Sequence, residues 1–516
     1  MRYTGRRYRM INKIRNSIPA WIWPHFLLSF LLPVYLYLSL FRFPWAPIYL
    51  DGDQTFFWEY ALRMLQGEHI YRDFFQFTPP GTDLVFLQAF RLFGPHIWVL
   101  NAVVLLLGTA LAWMCFKIAR RWMDQEAALL ATAIFAVIIY GRLLDATHHW
   151  FSLLSVLCGV QAVLPARTSA RIAIAGAFFG IASFFTQTAG VAGVAALLCT
   201  LLWEHAFCIR PLKKTLVFSA VLVGTFLAVL GALSAHFLAE VGWRTVWYFQ
   251  ATYPRKYIAY RHNGILPGGE AWRRISDLCE HYFFYFLPAA IYPLTLWRCW
   301  KDRDDKVRTP QVLLLAMTGS LLYLVVAART NWTRVYTISL PAVILLIYSM
   351  TRHRRLRSRS AGAVWVLIAC LATGQTALRY RHNGYVTQLP AGRVALSKQK
   401  FDKFVWLASH TKPGDYLLQA LWLNLYLPLE LRSPVFVDGL LSGEVTRPEF
   451  VDLSVRQLKS KRVKYIVLTP WIASATDPPP PWENHLGPFE DYVHNHYSFV
   501  YRFPDQDEVW QLREDD

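Results

Sequence analysis

Residues 25–67 read HFLLSFLLPVYLYLSLFRFPWAPIYLDGDQTFFWEYALRMLQG, and the order of textures along this stretch decides the fold. Positions 25–41 carry no acid, lysine or arginine and approach the length that a bilayer crossing needs. Asp51 and Asp53 follow at what is then a membrane–water boundary, where nearby hydrocarbon penalises charge and a carboxylate needs a reason to stay. From Gln54 onward, Phe56, Phe57, Tyr60, Ala61, Met64 and Leu65 recur at helical spacing opposite Glu59, Arg63 and Gln66, and Gly67 supplies a stop. This pattern predicts an interfacial helix over 54–66 with Asp53 at its start, the side chain accepting an orphan backbone N–H. Such a cap would hold Asp53 in place and ionised, as a catalytic base requires. A plain loop of solvated carboxylates explains the same residues without chemistry.

Outward from this stretch the apolar residues come in long blocks, and the chain is 55% hydrophobic over 516 residues. That exceeds what a water-soluble core uses and indicates a polytopic membrane protein. Candidate spans fall at about 25–41, 97–116, 125–141, 148–164, 171–187, 190–204, 216–239, 281–298, 311–328, 334–350 and 361–378. Basic residues provide a second count. They cluster at Arg2 to Arg15, Lys117 to Arg121, Arg167 to Arg171, Arg210 to Lys214, Lys301 to Arg308 and Arg352 to Arg359, always before span one or in an even-numbered gap. Eleven spans with a cytoplasmic N-terminus satisfy the positive-inside bias. Span one reads as a retained anchor, since no convincing cleavage site follows it.

Charge is unevenly spread. Residues 381–516 hold 15 Lys plus Arg against 17 Asp plus Glu, a net of −2, so the net +19 of the chain leaves +21 for residues 1–380. Cytoplasmic anchoring accounts for that excess, which removes nucleic acid as a partner and leaves membrane lipids. The seven cysteines show neither a disulfide framework nor paired zinc-type spacing.

The domain reading is a basic cytoplasmic segment at 1–24, a transmembrane domain at 25–380 containing a first exterior loop at 42–96, and an exterior α/β domain at 381–516. In the loop, Tyr71 to Phe77 gives an aromatic turn carrying Asp73, and Pro79-Pro80-Gly81 breaks regular structure before span two. A second exterior segment at 240–280 mixes aromatics with Arg244, Arg255, Lys256 and Arg261. Aromatic belts account for many of the rings, and the cations suit a lipid-linked phosphate. The terminal domain is expected to hold helices at 398–410, 448–460 and 487–496, with strands at 416–420, 433–437, 464–468, 498–503 and 508–512. No Walker-type loop, dinucleotide fingerprint or nucleophile elbow occurs.

Two exterior acids beside a helix start, Pro79-Pro80, eleven spans and a terminal exterior α/β domain together resemble the C-type (GT-C) membrane glycosyltransferases that use polyprenyl-phosphate sugars. The aminoarabinose-transferase-like and protein-mannosyltransferase-like members are the nearest in pattern. The sharpest portion is Asp51-Gly-Asp-Gln-Thr-Phe-Phe-Trp-Glu-Tyr60 through Gly67, with Tyr71-Arg-Asp73 and Pro79-Pro80. The resemblance implies an all-α polytopic domain with interfacial helices and a small exterior α/β domain. It also implies transfer of a sugar from a polyprenyl-phosphate donor to an exterior lipid, glycan or protein acceptor at a bacterial inner membrane.

On the family pattern the catalytic acid falls on Asp53. The aminoarabinose-transferase type often has a second acid just before its Pro-Pro pair, where this chain has Phe77 and Thr78, so Asp73 is the available substitute. Arg334-x-Tyr336, with Arg329, resembles the late phosphate-binding edge of these transferases. Guanidinium forks and a tyrosine hydroxyl suit a phosphate, and cations snorkelling to headgroups explain the same residues. Arg255 and Lys256 are candidates to complete the clamp. Asp145, His148 and His149 form another exterior polar group. Adjacent helical histidines point in different directions and no fourth ligand is evident, so no cofactor or metal is assigned and hydrogen bonding is the more economical role. A lipid-linked glycan transporter with the same polar residues along a passage, or a non-catalytic assembly protein, remains an alternative.

Overall fold

The computed structural model describes residues 26–258, 275–327, 332–352, 360–420, 422–440, 446–469 and 485–513. Each of the eleven apolar segments contributes a helix: Leu27–Leu40, Ile97–Ala119, Gln125–Leu143, His148–Val163, Ser169–Phe185, Gln187–Ala206, Leu212–Val241, Ile275–Lys301, Arg308–Ala327, Ser339–Arg352 and Ser360–His382. Among the described residues, six helices are long and apolar enough to cross a membrane: Ile97–Ala119, Gln125–Leu143, Gln187–Ala206, Leu212–Val241, Arg308–Val326 and Gly362–His382. Leu27–Leu40, Ser169–Phe185 and Ser339–Arg352 are apolar but shorter. At 1.5 Å per residue, helices of that kind reach only about 21–26 Å against a hydrocarbon layer of about 30 Å. Length and composition therefore establish six of the eleven expected spans.

The helices pack as a bundle in which Ser169–Phe185 lies against both His148–Val163 and Leu212–Val241. Gln187–Ala206 lies against Arg308–Ala327, and Ile97–Ala119 against Gln125–Ile134. Close approach depends on small residues, as membrane packing without a hydrophobic driving force requires. At Gly108 an added Cβ would sit 2.2 Å from the Tyr140 ring, whose hydroxyl donates to the Val104 carbonyl at 2.6 Å. Tyr140 ends a π-helical turn, Phe135–Tyr140, that widens this helix beside Ile97–Ala119.

Polar contacts gather at two opposite faces of the bundle. On one, Trp122 Nε1 donates to Gln311 at 3.0 Å and Gln311 Nε2 to the Leu164 carbonyl at 3.0 Å. On the same face Arg167 and Arg210 share the buried Glu204, at 2.8 and 2.9 Å, and Arg352 pairs with Asp302 at 2.6 Å. The even-numbered gaps thus meet one another. On the other face, the Ile97 amide donates to the Ala391 carbonyl and the Tyr49 amide to that of Ala395, which seats the C-terminal region on the first loop.

That region begins with an antiparallel hairpin, Tyr385–Leu389 with Gly392–Leu396. It continues in a four-stranded sheet ordered Leu417–Gln419, Tyr465–Leu468, Glu508–Leu512, Tyr497–Arg502, of which the first pair is parallel. Helices Lys398–His410, Pro448–Lys461 and Gly487–His496 fall where the amphipathic spacing places them. One expectation fails, and one element goes beyond the expectations. The stretch 433–437 forms no strand: Phe436 gives its carbonyl to the Phe75 amide and its own amide to Gln457, so its backbone bonds go to the first loop and a helix side chain. The hairpin went unread because turn and strands together span little more than ten residues beside a long helix.

Candidate functional site

Asp53 sits at the head of helix Gln54–Leu65, with its carboxyl-bearing residue exposed. The expected side-chain cap is absent: Asp53 has helical φ −56° and ψ −23° and makes no capping hydrogen bond. Gly52, at φ +87°, turns the chain so that its own carbonyl accepts the Thr55 amide at 2.9 Å. A Cβ there would strain the left-handed backbone. The first-turn donor is therefore served by the backbone rather than by the Asp53 carboxylate.

Asp51 belongs to a different contact. Its Oδ1 accepts from the Gly52 amide at 2.9 Å and from Asn424 Nδ2 at 3.2 Å, and its other oxygen pairs with Lys400. Tyr49 completes this contact by donating to the Asn424 carbonyl at 2.7 Å. Asp51 therefore ties the loop to the C-terminal region.

Gln54 is buried and joins the acids of two loops: Nε2 donates to the Asp51 carbonyl at 3.1 Å and Oε1 accepts the Ala146 amide at 3.1 Å. Asp145 stands beside that amide, after Leu144 in a left-handed conformation. Trp150 Nε1 donates to Asp145 Oδ1 at 2.5 Å. Burial pushes the Asp145 carboxyl up to about 7, the Trp150 bond opposes the rise, and the negative charge of Asp53 adds to it. The charge of Asp53 thus acts on Asp145, while Gln54 ties the backbones of their two loops together.

The next turn supplies the histidines. His148 Nδ1 lies 2.8 Å from Thr186 Oγ1, whose hydroxyl donates to the His148 carbonyl at 3.3 Å. With the hydroxyl proton so used, Nδ1 is the donor to Thr186 and Nε2 is left as an acceptor. The His149 ring lies 3.9 Å from that of His148. Helix Trp332–Thr337 packs against His148–Val163, and the half-buried Arg334 brings its positive charge to bear on both imidazoles. Tyr336 is 1% exposed, inside the bundle, whereas Arg255 and Lys256 are exposed on the turn Pro254–Ile258. Arg329 and Arg261 lie outside the described residues. No group of three or more His, Cys, Asp or Glu is placed to hold a metal among the described residues.

Asp73 has local partners. It accepts from Arg72 at 2.9 Å and from the His69 amide at 2.8 Å, and the Arg72 bond holds its carboxyl below the usual range. Arg72 and His69 in turn approach Glu240, at the end of helix Leu212–Val241. Tyr71, beside Asp73, takes φ +69° and accepts from Gln250 Nε2 at 2.7 Å, while the Gln250 carbonyl accepts from Gln187 at 3.1 Å. The first loop, the 243–258 segment and helix Gln187–Ala206 are latched through these side chains.

Two acids escaped the sequence reading. Asp83, in the first turn after Pro79-Pro80-Gly81, is fully buried, and Gln76 Nε2 approaches it at 3.3 Å while Gln76 Oε1 receives the Phe77 and Thr78 amides. Burial holds its carboxyl well above the usual range. Glu59, placed by periodicity on a polar face, is 1% exposed, and burial, reinforced by Asp438, raises it likewise. Arg63, from the same face, is 3% exposed and gives a forked contact to Asp438 at 2.7 Å. That face is buried because the C-terminal region covers it. Nothing in the local sequence signals this: Asp83 reads as an ordinary acidic first turn.

Residues 78–233 match the sequence model of a family described as dolichyl-phosphate-mannose-protein mannosyltransferase. No curated protein sequence matches. Among solved structures, apo ArnT from Cupriavidus metallidurans superposes with a TM-score of 0.63 at 15% identity, over 95% of this chain and 98% of that one. The same protein bound to undecaprenyl phosphate gives 0.62 at 16% identity, over 95% and 98%. The archaeal oligosaccharyltransferase AglB from Archaeoglobus fulgidus, in complex with an inhibitory peptide and a dolichol-phosphate, gives 0.51 at 14% identity, over 96% and 75%. At these identities the likeness establishes a shared fold.

Proposed function

We propose that this GT-C-fold membrane protein, related to the ArnT, AglB and protein-mannosyltransferase group, transfers a sugar from a polyprenyl-phosphate donor to an exterior lipid, glycan or protein acceptor. The observation that carries the reading is the convergence of exposed Asp53 and buried Asp145, near enough for the charge of one to act on the other, on loops that Gln54 ties together through the Asp51 carbonyl and the Ala146 amide, with the charge of Arg334 close by on the helix opposite. A base and a cation are what displacement at an anomeric carbon beside a phosphate requires, and Asp145 stands beside them as a second acid.

In this scheme the Asp53 carboxylate takes the proton of the acceptor hydroxyl or amine as that atom attacks the anomeric carbon. The bond from that carbon to the phosphate oxygen breaks, and the polyprenyl phosphate leaves with the electron pair. One displacement inverts the centre, so no second carboxylate need form a covalent intermediate. Arg334, aided by Arg329, Tyr336, Arg255 and Lys256, meets the charge gathering on the departing phosphate. Asp145, His148 and His149 order the acceptor side, Asp51 fixes the loop, and Asp73 holds the loop's far end.

Eleven crossings with the N-terminus in the cytoplasm of a bacterial cell place this site outside the inner membrane, with residues 381–516 as an exterior domain. Support comes from the even-numbered, cation-rich gaps sharing one face while the first loop and C-terminal region share the other. The test incubates purified wild-type and Asp53→Asn protein with a panel of polyprenyl-phosphate sugars and acceptors and identifies products by mass. A sugar-transfer product from wild type, lost in Asp53→Asn at preserved donor binding, is expected. Equal turnover by both would remove Asp53 from its role, and passage of an unaltered glycolipid across a bilayer would favour a transporter.

A further inference from the structure

At the end of Ile97–Ala119 remote from the Asp53 site, Trp113, Phe116, Lys117, Arg120 and Arg121 line a cavity of about 490 Å³ together with Gln161 of helix His148–Val163. The start of Ile97–Ala119 is bonded to Ala391 of the C-terminal region, and its 23 residues put the cavity about 34 Å away on the opposite face. We propose that this cavity binds the headgroup of a glycerol-bearing anionic phospholipid from the surrounding membrane.

The spacing of the five helix and helix-end residues is the first argument. Positions 113, 116, 117, 120 and 121 follow the i, i+3, i+4, i+7, i+8 pattern, so they form one stripe. The stripe changes character along the helix: Trp113 and Phe116, ring centroids 6.5 Å apart, come first and three cations follow toward the end. Aromatic rings at the depth of the glycerol backbone and cations at the depth of the phosphate match a phospholipid, not a free anion.

Charge is the second argument. The lining contains three cations and no acid. The side chains of Lys117 and Arg121 make no hydrogen bond or ion pair among the described residues, whereas Arg120 donates to the Met123 carbonyl at 2.7 Å and so keeps its fork at the helix end. This contrasts with the neighbouring Arg167 and Arg210, which are neutralised by Glu204. The third argument is Gln161. Its Oε1 is buried without a hydrogen-bond partner among the described residues, a costly state for an acceptor unless a donor arrives. The glycerol hydroxyl of phosphatidylglycerol is such a donor, held beside the phosphate that the cations bind.

The experiment measures retained lipid by native mass spectrometry of the full chain released from nanodiscs of defined composition. Wild type is expected to retain phosphatidylglycerol over phosphatidylethanolamine, and Lys117→Gln with Arg121→Gln to lose that preference by about tenfold or more, at about 1 kcal/mol per surface cation. Gln161→Leu, which changes no charge, is expected to lower phosphatidylglycerol retention while leaving phosphatidic acid, which lacks the headgroup glycerol, unchanged. Equal retention of the two lipids by wild type, or undiminished preference in both variants, would overturn the proposal. So would displacement of phosphatidylglycerol by millimolar inorganic phosphate, which would make the cavity a free-anion site. Unfolding of a variant is read separately from its melting temperature, and the two independent variants keep the outcome decisive.

Discussion

Burial, with the charge of Asp53 adding to it, pushes the Asp145 carboxyl up to about 7 against the opposing Trp150 hydrogen bond. Its proton is present below about pH 7 and lost above it, which adds a second negative charge beside Asp53 where an anionic donor must dock. Donor KM is therefore expected to rise as pH increases through about 7, and Asp145→Asn to flatten that rise; steady-state kinetics from pH 5.5 to 8.5 in about half-unit steps measure both. A profile identical in the variant would assign the inflection elsewhere. Arg334→Ala is expected to raise donor KM by roughly ten- to a hundredfold, the cost of one charge-assisted contact, with Arg334→Lys recovering part of it because a point charge replaces the fork. Unchanged donor binding would return Arg334 to a headgroup anchor.

At the scale of elements, helix Gln54–Leu65 is held from both sides. Its apolar residues pack on the bundle, with Trp58 fully buried, and its Arg63 reaches Asp438, Glu68 and the carbonyls of Val435 and Asp73. Removing one member of a buried pair leaves an uncompensated charge, so Arg63→Ala is expected to destabilise by about 3–5 kcal/mol. Asp438→Leu combined with Arg63→Met is expected to recover most of that loss, since neither charge is then stranded. Thermal unfolding followed by intrinsic fluorescence reads the difference. An Arg63→Ala protein as stable as wild type would mean that Phe75, Phe436, Phe450 and the rest of the aromatic contact hold the regions together unaided.

At the scale of the whole molecule, two faces with different chemistry are separated by the bundle. Single cysteines introduced at exposed Arg121 and at half-buried Asp402 are expected to react with an impermeant maleimide from opposite sides of the membrane, Asp402→Cys from outside. Labelling of both from one side would break the alternation of the helices. The peripheral helix Gly362–His382, of whose apolar window only 6% is buried, presents most of its surface to lipid, as an outermost element should.

The sequence by itself determined the texture: the apolar blocks, the even-gap cations, the helix after Asp53, and most elements of the C-terminal region. These are local, since hydrophobic period and charge bias act within one element or its flanks. Only the tertiary structure decided which carboxylates are buried and which meet. Glu59 and Arg63 look solvent-facing by periodicity, and are enclosed because a domain more than three hundred residues later in the chain covers that side; Asp83 is enclosed where its helix packs on Gln54–Leu65 and on the bundle helices. Gln54 meets the Ala146 amide across 92 positions and brings Asp145 within reach of the charge of Asp53, a contact that no spacing rule encodes. Asp53 itself shows the division: its position was readable from the helix it begins, while its release from capping followed from Gly52, whose left-handed turn lets a backbone carbonyl take the amide that the carboxylate would otherwise have served.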